Sequence, residues 1–171
     1  MNLLCYICLT LSIIINQQNL LIGDSQTFQL NKHSTIVKHE TKLSKVGIGV
    51  PQLITKIKNY PIQPNVLSLT ICIGVNDGYI DKGILQLMRV VKTTFPNAHI
   101  YIIKGSWGWS QVKTISKDKF NNYYKKFEDL GAHIIQTPIG YGDPHKNKKV
   151  YKTIMSELEW KIKQLKPHTK I

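Results

Sequence analysis

The feature that most constrains this chain is the alternation of two kinds of segment. Short, continuously apolar runs rich in β-branched residues end at glycine or proline, and segments with apolar residues at helical spacing lie between them. Leu67–Ile73 stops at Gly74, and His99–Ile103 is a similar run. Continuous apolar runs are typical of strands that are buried on both faces of a parallel sheet. The alternation therefore predicts an α/β fold in three layers, with helices on both faces of the sheet.

The alternation also predicts where the individual strands and helices lie. The predicted strands are Asn19–Ile22, Lys45–Gly49, Leu67–Ile73, His99–Ile103 and Ala132–Ile135. The predicted helices cover Pro51–Lys58, Ile80–Val91, Phe120–Leu130 and Tyr151–Leu165, while Thr27–Glu40 is a mixed stretch with some helical character. Since crossovers between parallel strands are right-handed, this order predicts a doubly wound, flavodoxin-like sheet of about five strands.

The length of 171 residues suits one domain with a sizeable core, which we assign to residues 19–171. Residues 1–18 form an apolar N-terminal segment. Its run Leu3–Ile15 is shorter than the ~20 residues of a membrane span but matches the apolar region of a signal peptide. No Lys or Arg precedes the run. A cleaved signal, which would imply a secreted or surface-associated protein, a short anchor and a buried element of the domain all remain open.

The charge of the chain predicts anionic partners. Lys and Arg number 23 against 10 Asp and Glu, a net charge of +13, which attracts acidic glycans, nucleic acids and anionic surfaces. No nucleic-acid-binding motif accompanies the charge, so we do not expect that partner. Lys146, Lys148 and Lys149 form either a solvated surface or a patch that steers an acidic polymer or anionic substrate.

Cys5 and Cys8 have the C-x-x-C spacing of redox and zinc sites, but they lie inside the apolar run with no second Cys or His pair nearby, which favours packing. The histidines other than His145 have no metal-ligand spacing, and we predict neither metal nor cofactor.

In a doubly wound sheet the functional loops lie beyond the carboxyl ends of the strands. Here those loops contain Ser25, the glycines Gly47 and Gly49, Asn76 and His145. A serine becomes a nucleophile when a histidine takes its proton, and acyl transfer also needs donors for the oxyanion. The backbone N–H groups of Ser25 and a glycine, with the Asn76 amide, are donors of that kind. These residues therefore predict acyl transfer.

Together the motifs resemble those of the SGNH hydrolases of the GDSL esterase superfamily. The matching residues are Gly23-Asp24-Ser25, Gly47 with Gly49 as the other option, Gly74-Val75-Asn76-Asp77, and His145. The resemblance spans about Asn19–Leu165 and implies a three-layer hydrolase fold. It also implies Ser25 as the nucleophile, His145 as general base and acid, and an oxyanion hole of Ser25, Gly47 and Asn76, with no cofactor.

One position departs from the pattern. The family usually places an aspartate three residues before the histidine, where this chain has Gly142, and Asp143 lies two before it. Either Asp143 orients the His145 imidazole, or a backbone carbonyl does so and the enzyme uses a Ser–His dyad. The departure also leaves open a non-catalytic module of the same fold that binds a glycan.

Structural interpretations stand beside these roles. Ser25 suits an ordinary turn or a helix N-cap, Asn76-Asp77-Gly78 suits a turn, and His145 suits the surface. Asp77 is a candidate for substrate binding, although bracing its loop is the simpler role. Trp107 and Trp109 are candidates for stacking on a sugar ring, or else they pack a loop. We predict a small acyl ester or an O-acetylated carbohydrate as the substrate, with lipid esters as the alternative.

Overall fold

The computed structural model describes residues 17–105, 115–137 and 148–165, without the side chain of residue 148. Within this part of the chain the strands are β1 (Gln18–Gly23), β2 (Lys38–Ser44), β3 (Val66–Cys72), β4 (His99–Ile103) and β5 (His133–Ile135). The helices are α1 (Ser25–Leu30), α2 (Val50–Lys58), α3 (Ile84–Thr94), α4 (Lys117–Asp129) and α5 (Lys148–Lys163). Short 3-10 turns cover Asn31–His33 and Val75–Asp77.

The five strands form one parallel sheet in the order β2-β1-β3-β4-β5. This is the flavodoxin-like order, so the predicted three-layer α/β fold is confirmed. Strand β1, which Ser25 follows, pairs with β2 on one side and with β3 on the other. Its last residue, Gly23, lies opposite both Ser44 and Cys72.

The sheet is buried on both faces, which explains its continuous apolar strands. Leu21 and Ile22 are neighbours in β1, yet Leu21 belongs to the core beside α1 and α5, and Ile22 to the core beside α2, α3 and α4. Tyr101 and Ile102 divide in the same way in β4. Successive side chains of a strand point to opposite faces, so each buried strand contributes to both cores.

The helices begin and end where the sequence supplies suitable residues. Helix α2 has Pro51 in its first turn, where a missing N–H costs nothing, and buries Leu53 and Ile57. Helix α4 begins after Ser116, whose hydroxyl accepts from Lys119 N, and is followed by Gly131 at φ +89°. No helix in the described ranges is both long and apolar enough to cross a membrane.

The sequence prediction is wrong for the second strand. Lys45–Gly49 forms a turn, and β2 lies earlier, at Lys38–Ser44, inside the stretch to which helical character was assigned. Helix α1 covers only the first part of that stretch. In the sheet β2 is an edge strand that pairs with β1 alone, and only Leu43 and Ser44 of it are buried. A strand with one paired edge and little burial does not show an apolar run.

Candidate active site

Ser25 is the first residue of helix α1 and directly follows the end of β1. The chain makes this turn through Gly23, at φ +131°, where an added Cβ would lie 2.0 Å from the Cys72 carbonyl oxygen. Asp24 N donates to that same oxygen (3.0 Å), and Lys45 N donates to Gly23 O (3.0 Å). Only glycine fits here, and the turn is bonded to both neighbouring strands.

Asp24 is the N-cap of helix α1. Its carboxylate accepts from Gln26 N (2.9 Å), and its carbonyl accepts from Thr27 N (3.1 Å) and Thr27 Oγ1 (2.6 Å). The interpretation of Ser25 as the N-cap is therefore wrong, because Asp24 holds that position. Capping satisfies the first-turn donors and fixes the direction in which α1 leaves the sheet. Ser25 itself is only partly buried, whereas Asp24 is fully buried.

The buried carboxyl group of Asp24 has the Cys72 side chain beside it. Burial raises the pKa of the Cys72 thiol, and the charge of Asp24 and a hydrogen bond to its carboxylate raise the pKa further. The thiol therefore stays protonated beside the carboxylate. This pair supports the turn from inside the core, where an isolated carboxylate would be costly.

The glycine loop after β2 contains two different environments. Gly47 is exposed at φ +75°, and a Cβ there would have no atom of the described residues within 4 Å. Gly49 is buried, and a Cβ there would lie 2.1 Å from Asp77 Oδ1. Gly49 N donates to Gln52 Oε1 (2.8 Å). Close approach to Asp77 therefore requires glycine at position 49, whereas the positive φ favours glycine at position 47.

Asn76 lies in the 3-10 turn that follows β3. Its Nδ2 donates to Ile48 O (3.0 Å), and the neighbouring Asp77 Oδ2 accepts from Val50 N (2.6 Å). These two bonds join the loop after β3 to the loop after β2. An amide nitrogen carries two hydrogens, so the bond to Ile48 orients the group and leaves the second hydrogen for another acceptor.

A cluster of buried aromatic side chains packs against the Asn76 turn. Tyr79 N donates to Gly74 O (2.9 Å), which closes the turn, and Tyr79 has an unusual φ of +54°. Its buried ring packs edge-on against Phe120 and Tyr123, and burial raises the pKa of its hydroxyl. A Cβ on Gly74 would lie 2.8 Å from Tyr123. The turn is therefore held by packing as well as by hydrogen bonds.

The described residues thus bring together one part of the predicted site. Ser25, the Gly47–Gly49 loop and Asn76 follow the carboxyl ends of three adjacent strands, with Ser25 on the middle one. The predicted Asp143 and His145, and the predicted Trp107 and Trp109, lie outside the described residues, so their roles stay predictions. No group of three or more His, Cys, Asp or Glu side chains in the described ranges is arranged to hold a metal.

Sequence reasoning missed two hydrogen bonds of the glycine loop and the start of helix α2. The bond from Gly49 N to Gln52 had a signal, because a glutamine three residues after an N-cap is part of the capping-box pattern. The bond from Val50 N to Asp77 had none, because its partners lie far apart in the sequence. Ser44, whose hydroxyl accepts from Gly23 N (3.2 Å), was missed with the rest of β2.

The sequence matches no protein-family model and no curated protein. Solved structures do match. One is a member of the lipolytic G-D-S-L family from Veillonella parvula, at 12% identity over 87% of this chain and 100% of that chain, with a TM-score of 0.64. The chain has the SGNH hydrolase fold.

Two further SGNH-fold matches have more specific descriptions. The catalytic domain of peptidoglycan O-acetyltransferase A from Streptococcus pneumoniae is 14% identical over 86% of this chain and 94% of that chain, with a TM-score of 0.59. A carbohydrate acetylesterase from Sinorhizobium meliloti is 12% identical over 84% and 99%, with a TM-score of 0.52. At these identities the likeness shows the fold.

Proposed function

We propose that this protein is a serine ester hydrolase that works through an acyl-serine intermediate on Ser25, with O-acetylated carbohydrate or another small acyl ester as its substrate. The observation that carries the proposal is the placement of Ser25 at the first position of α1, between the glycine loop and Asn76. A nucleophile needs oxyanion donors on the carbonyl it attacks, and we assign this role to the loops that follow the two neighbouring strands together with Ser25.

The proposed reaction begins with attack of Ser25 Oγ on the ester carbonyl carbon. His145 takes the hydroxyl proton and then gives it to the leaving alcohol, which departs and leaves an acyl-serine. Water, deprotonated by His145, attacks the acyl carbon and releases the acid, and the proton returns to Ser25. Proton transfer of this kind contributes on the order of 10²–10⁴ in rate.

The oxyanion of each tetrahedral intermediate needs donors that are already in place. In this turn we assign the role to the N–H of Ser25, the residue that carries the nucleophile, while the N–H groups of Gln26 and Thr27 bond to Asp24. The Asn76 amide is the second donor. The third is Gly47 N–H, since the N–H of Gly49 donates to Gln52. Preorganised donors of this kind cost no reorganisation during the reaction.

In this proposal Asp77 acts on the loop, and through it on Asn76. Its carboxylate receives the Val50 N–H at the start of α2 and thereby holds the Asn76 turn against the glycine loop. Asn76 is exposed, so it has little packing of its own to keep it in place. Asp77 is therefore a positioning residue. Its bond and the bond of Asn76 to Ile48 hold the Asn76 amide in place where packing does not.

Three observations favour an acetylated carbohydrate as the substrate. Two proteins with this fold are described as a carbohydrate acetylesterase and a peptidoglycan O-acetyltransferase. The net charge of +13 attracts acidic polymers. Trp107 and Trp109 follow β4 in the sequence, and an indole ring is suited to stacking on a sugar.

The direct test is turnover of p-nitrophenyl acetate by the full chain. We expect Ser25→Ala and His145→Ala to lose activity, while Ser156→Ala, an exposed serine of α5, keeps the wild-type rate. A fluorophosphonate should label the wild-type chain at Ser25, as shown by mass spectrometry. Equal rates in wild type and Ser25→Ala, with no labelling, would reject the enzyme and favour the glycan-binding module. Faster turnover of octanoyl than of acetyl esters would favour lipid substrates.

A further inference from the structure

A cleft of about 360 Å³ opens beside the glycine loop, between that loop and the solvent-facing side of helix α2. Its lining includes Lys45, Val46, Gly47, Gln52, Thr55 and Lys56. The lining combines two ammonium groups with amide and hydroxyl side chains and an exposed valine, and none of the described residues in it carries a carboxylate. This composition suits an anionic, hydroxyl-rich ligand.

The two lysines of the cleft are not neutralised within the described part of the chain. Ion pairs there involve Lys125, Lys126 and Lys161, and neither Lys45 nor Lys56 takes part in one. Lys56 Nζ instead donates to the backbone carbonyl of residue 42 (2.8 Å), which holds its charge at the cleft. Two cations facing one cleft without a carboxylate repel each other, and an anion that binds between them relieves this repulsion.

The nearby Glu40 does not serve as the missing counter-charge. Its two carboxylate oxygens accept from Lys42 N (3.0 Å) and from the Tyr60 hydroxyl (2.9 Å), and it is not part of the lining. The charge facing the cleft is therefore positive, which agrees in sign with the net charge of the whole chain.

The cleft adjoins the proposed oxyanion hole. Gly47 belongs to both, and the carbonyl of Ile48, another lining residue, orients Asn76 (3.0 Å). An acetyl ester whose carbonyl lies at Ser25 would thus have the cleft next to it, across the glycine loop. A polymeric substrate also has sugars on either side of the acetylated one.

We propose that this cleft binds a sugar carboxylate through Lys45 and Lys56, so that the substrate is an O-acetylated acidic glycan containing uronate-type residues. The inference rests on the proposed function and specifies its substrate class. Each lysine forms a partly solvated ion pair with the carboxylate, while Gln52 and Thr55 offer polar groups to the sugar hydroxyls. The cleft therefore acts as a specificity subsite, away from the reacting atoms.

The kinetic test uses two matched substrates, O-acetylated trigalacturonate and the uronamide of the same O-acetylated oligosaccharide, so that the sugar next to the acetylated one carries either a carboxylate or a neutral amide. We expect the ratio of kcat/KM for the carboxylate over the amide to fall about two- to fivefold in Lys45→Gln and in Lys56→Gln, the size expected of an exposed ion pair. The change should appear in KM, since the contact is made in ground state and transition state alike. Lys58→Gln is the control, because this exposed lysine of α2 changes the net charge equally and lies outside the cleft.

The binding test does not require catalysis. Trigalacturonate is titrated calorimetrically into Ser25→Ala and its Lys45→Gln/Lys56→Gln derivative, with neutral cellotriose as the comparison. We expect Ser25→Ala to bind trigalacturonate more tightly than cellotriose, with a preference that weakens as salt rises and is lost in the derivative. Equal affinity for both sugars, or equal losses in the cleft variants and Lys58→Gln, would overturn the inference. Binding by Ser25→Ala together with an inactive wild type would instead reject only the proposed hydrolysis.

Discussion

The contact between Gly49 and Asp77 gives the sharpest test of how the site is built. At φ −107° and ψ 178°, Gly49 has an extended backbone that alanine also adopts, so Gly49→Ala introduces no backbone strain. The new methyl group would lie 2.1 Å from Asp77 Oδ1 and 2.9 Å from Oδ2, well inside van der Waals contact. The carboxylate must move by about 1 Å or more, and its 2.6 Å bond from Val50 N would break.

The expected cost follows from that lost bond. A hydrogen bond to a charged group contributes about 1.5–3 kcal/mol, so Gly49→Ala should lower the free energy of unfolding by about 2 kcal/mol. Asp77→Ala removes the same bond and should cost a similar amount. In the double variant the methyl group meets no carboxylate, so the total should stay near 2 kcal/mol, which corresponds to a coupling of about 2 kcal/mol.

The assay is urea unfolding followed by circular dichroism for the wild type, both single variants and the double variant. Gly47→Ala is the matched control, because its added Cβ would have no atom of the described part of the chain within 4 Å. Its positive φ still costs about 1 kcal/mol, but this cost should add to that of Asp77→Ala without coupling. Additive losses for Gly49→Ala and Asp77→Ala, or a Gly49→Ala variant as stable as the wild type, would refute the reasoning.

Three further predictions follow from the same structure. Asn76→Ala should reduce kcat for p-nitrophenyl acetate about 10²–10³-fold and cost only about 1 kcal/mol of stability, and an unchanged kcat would remove Asn76 from the oxyanion hole. Gly23→Ala should give no native circular dichroism spectrum, because its Cβ would lie 2.0 Å from Cys72 O; a folded variant would contradict the geometry of this turn. Burial lowers the pKa of His39 below 6.5, against an opposing effect of Glu40. The neutral ring is favoured in the folded state, so the contribution of His39 to stability is complete above about pH 6.5 and is lost as pH falls through the folded pKa. The urea midpoint of the wild type should therefore fall between about pH 7 and pH 5, and His39→Gln should flatten this fall. Midpoint curves of wild type and His39→Gln that run parallel would refute this.

How much the sequence predicts depends on burial. Strands β1, β3 and β4 were located to within a residue, because strands buried on both faces must be apolar throughout. Strand β2 was misplaced because its exposed residues, such as Lys38 and Lys42, carry no such constraint. The predicted fold class is correct in spite of this error, since the order of the other elements already indicated a doubly wound sheet.

By itself the sequence determined the apolar alternation, and with it the sheet, its two covered faces and the position of Ser25 just beyond a central strand. Tertiary structure alone decided that Asp24 caps helix α1, that Gly49 must leave room for the Asp77 carboxylate, and that Lys45 and Lys56 share one cleft. The physical reason is one of range. Solvent exclusion acts on every residue of a segment and leaves a periodic pattern, whereas a hydrogen bond or a steric limit between distant residues involves single atoms that meet only after the chain has folded.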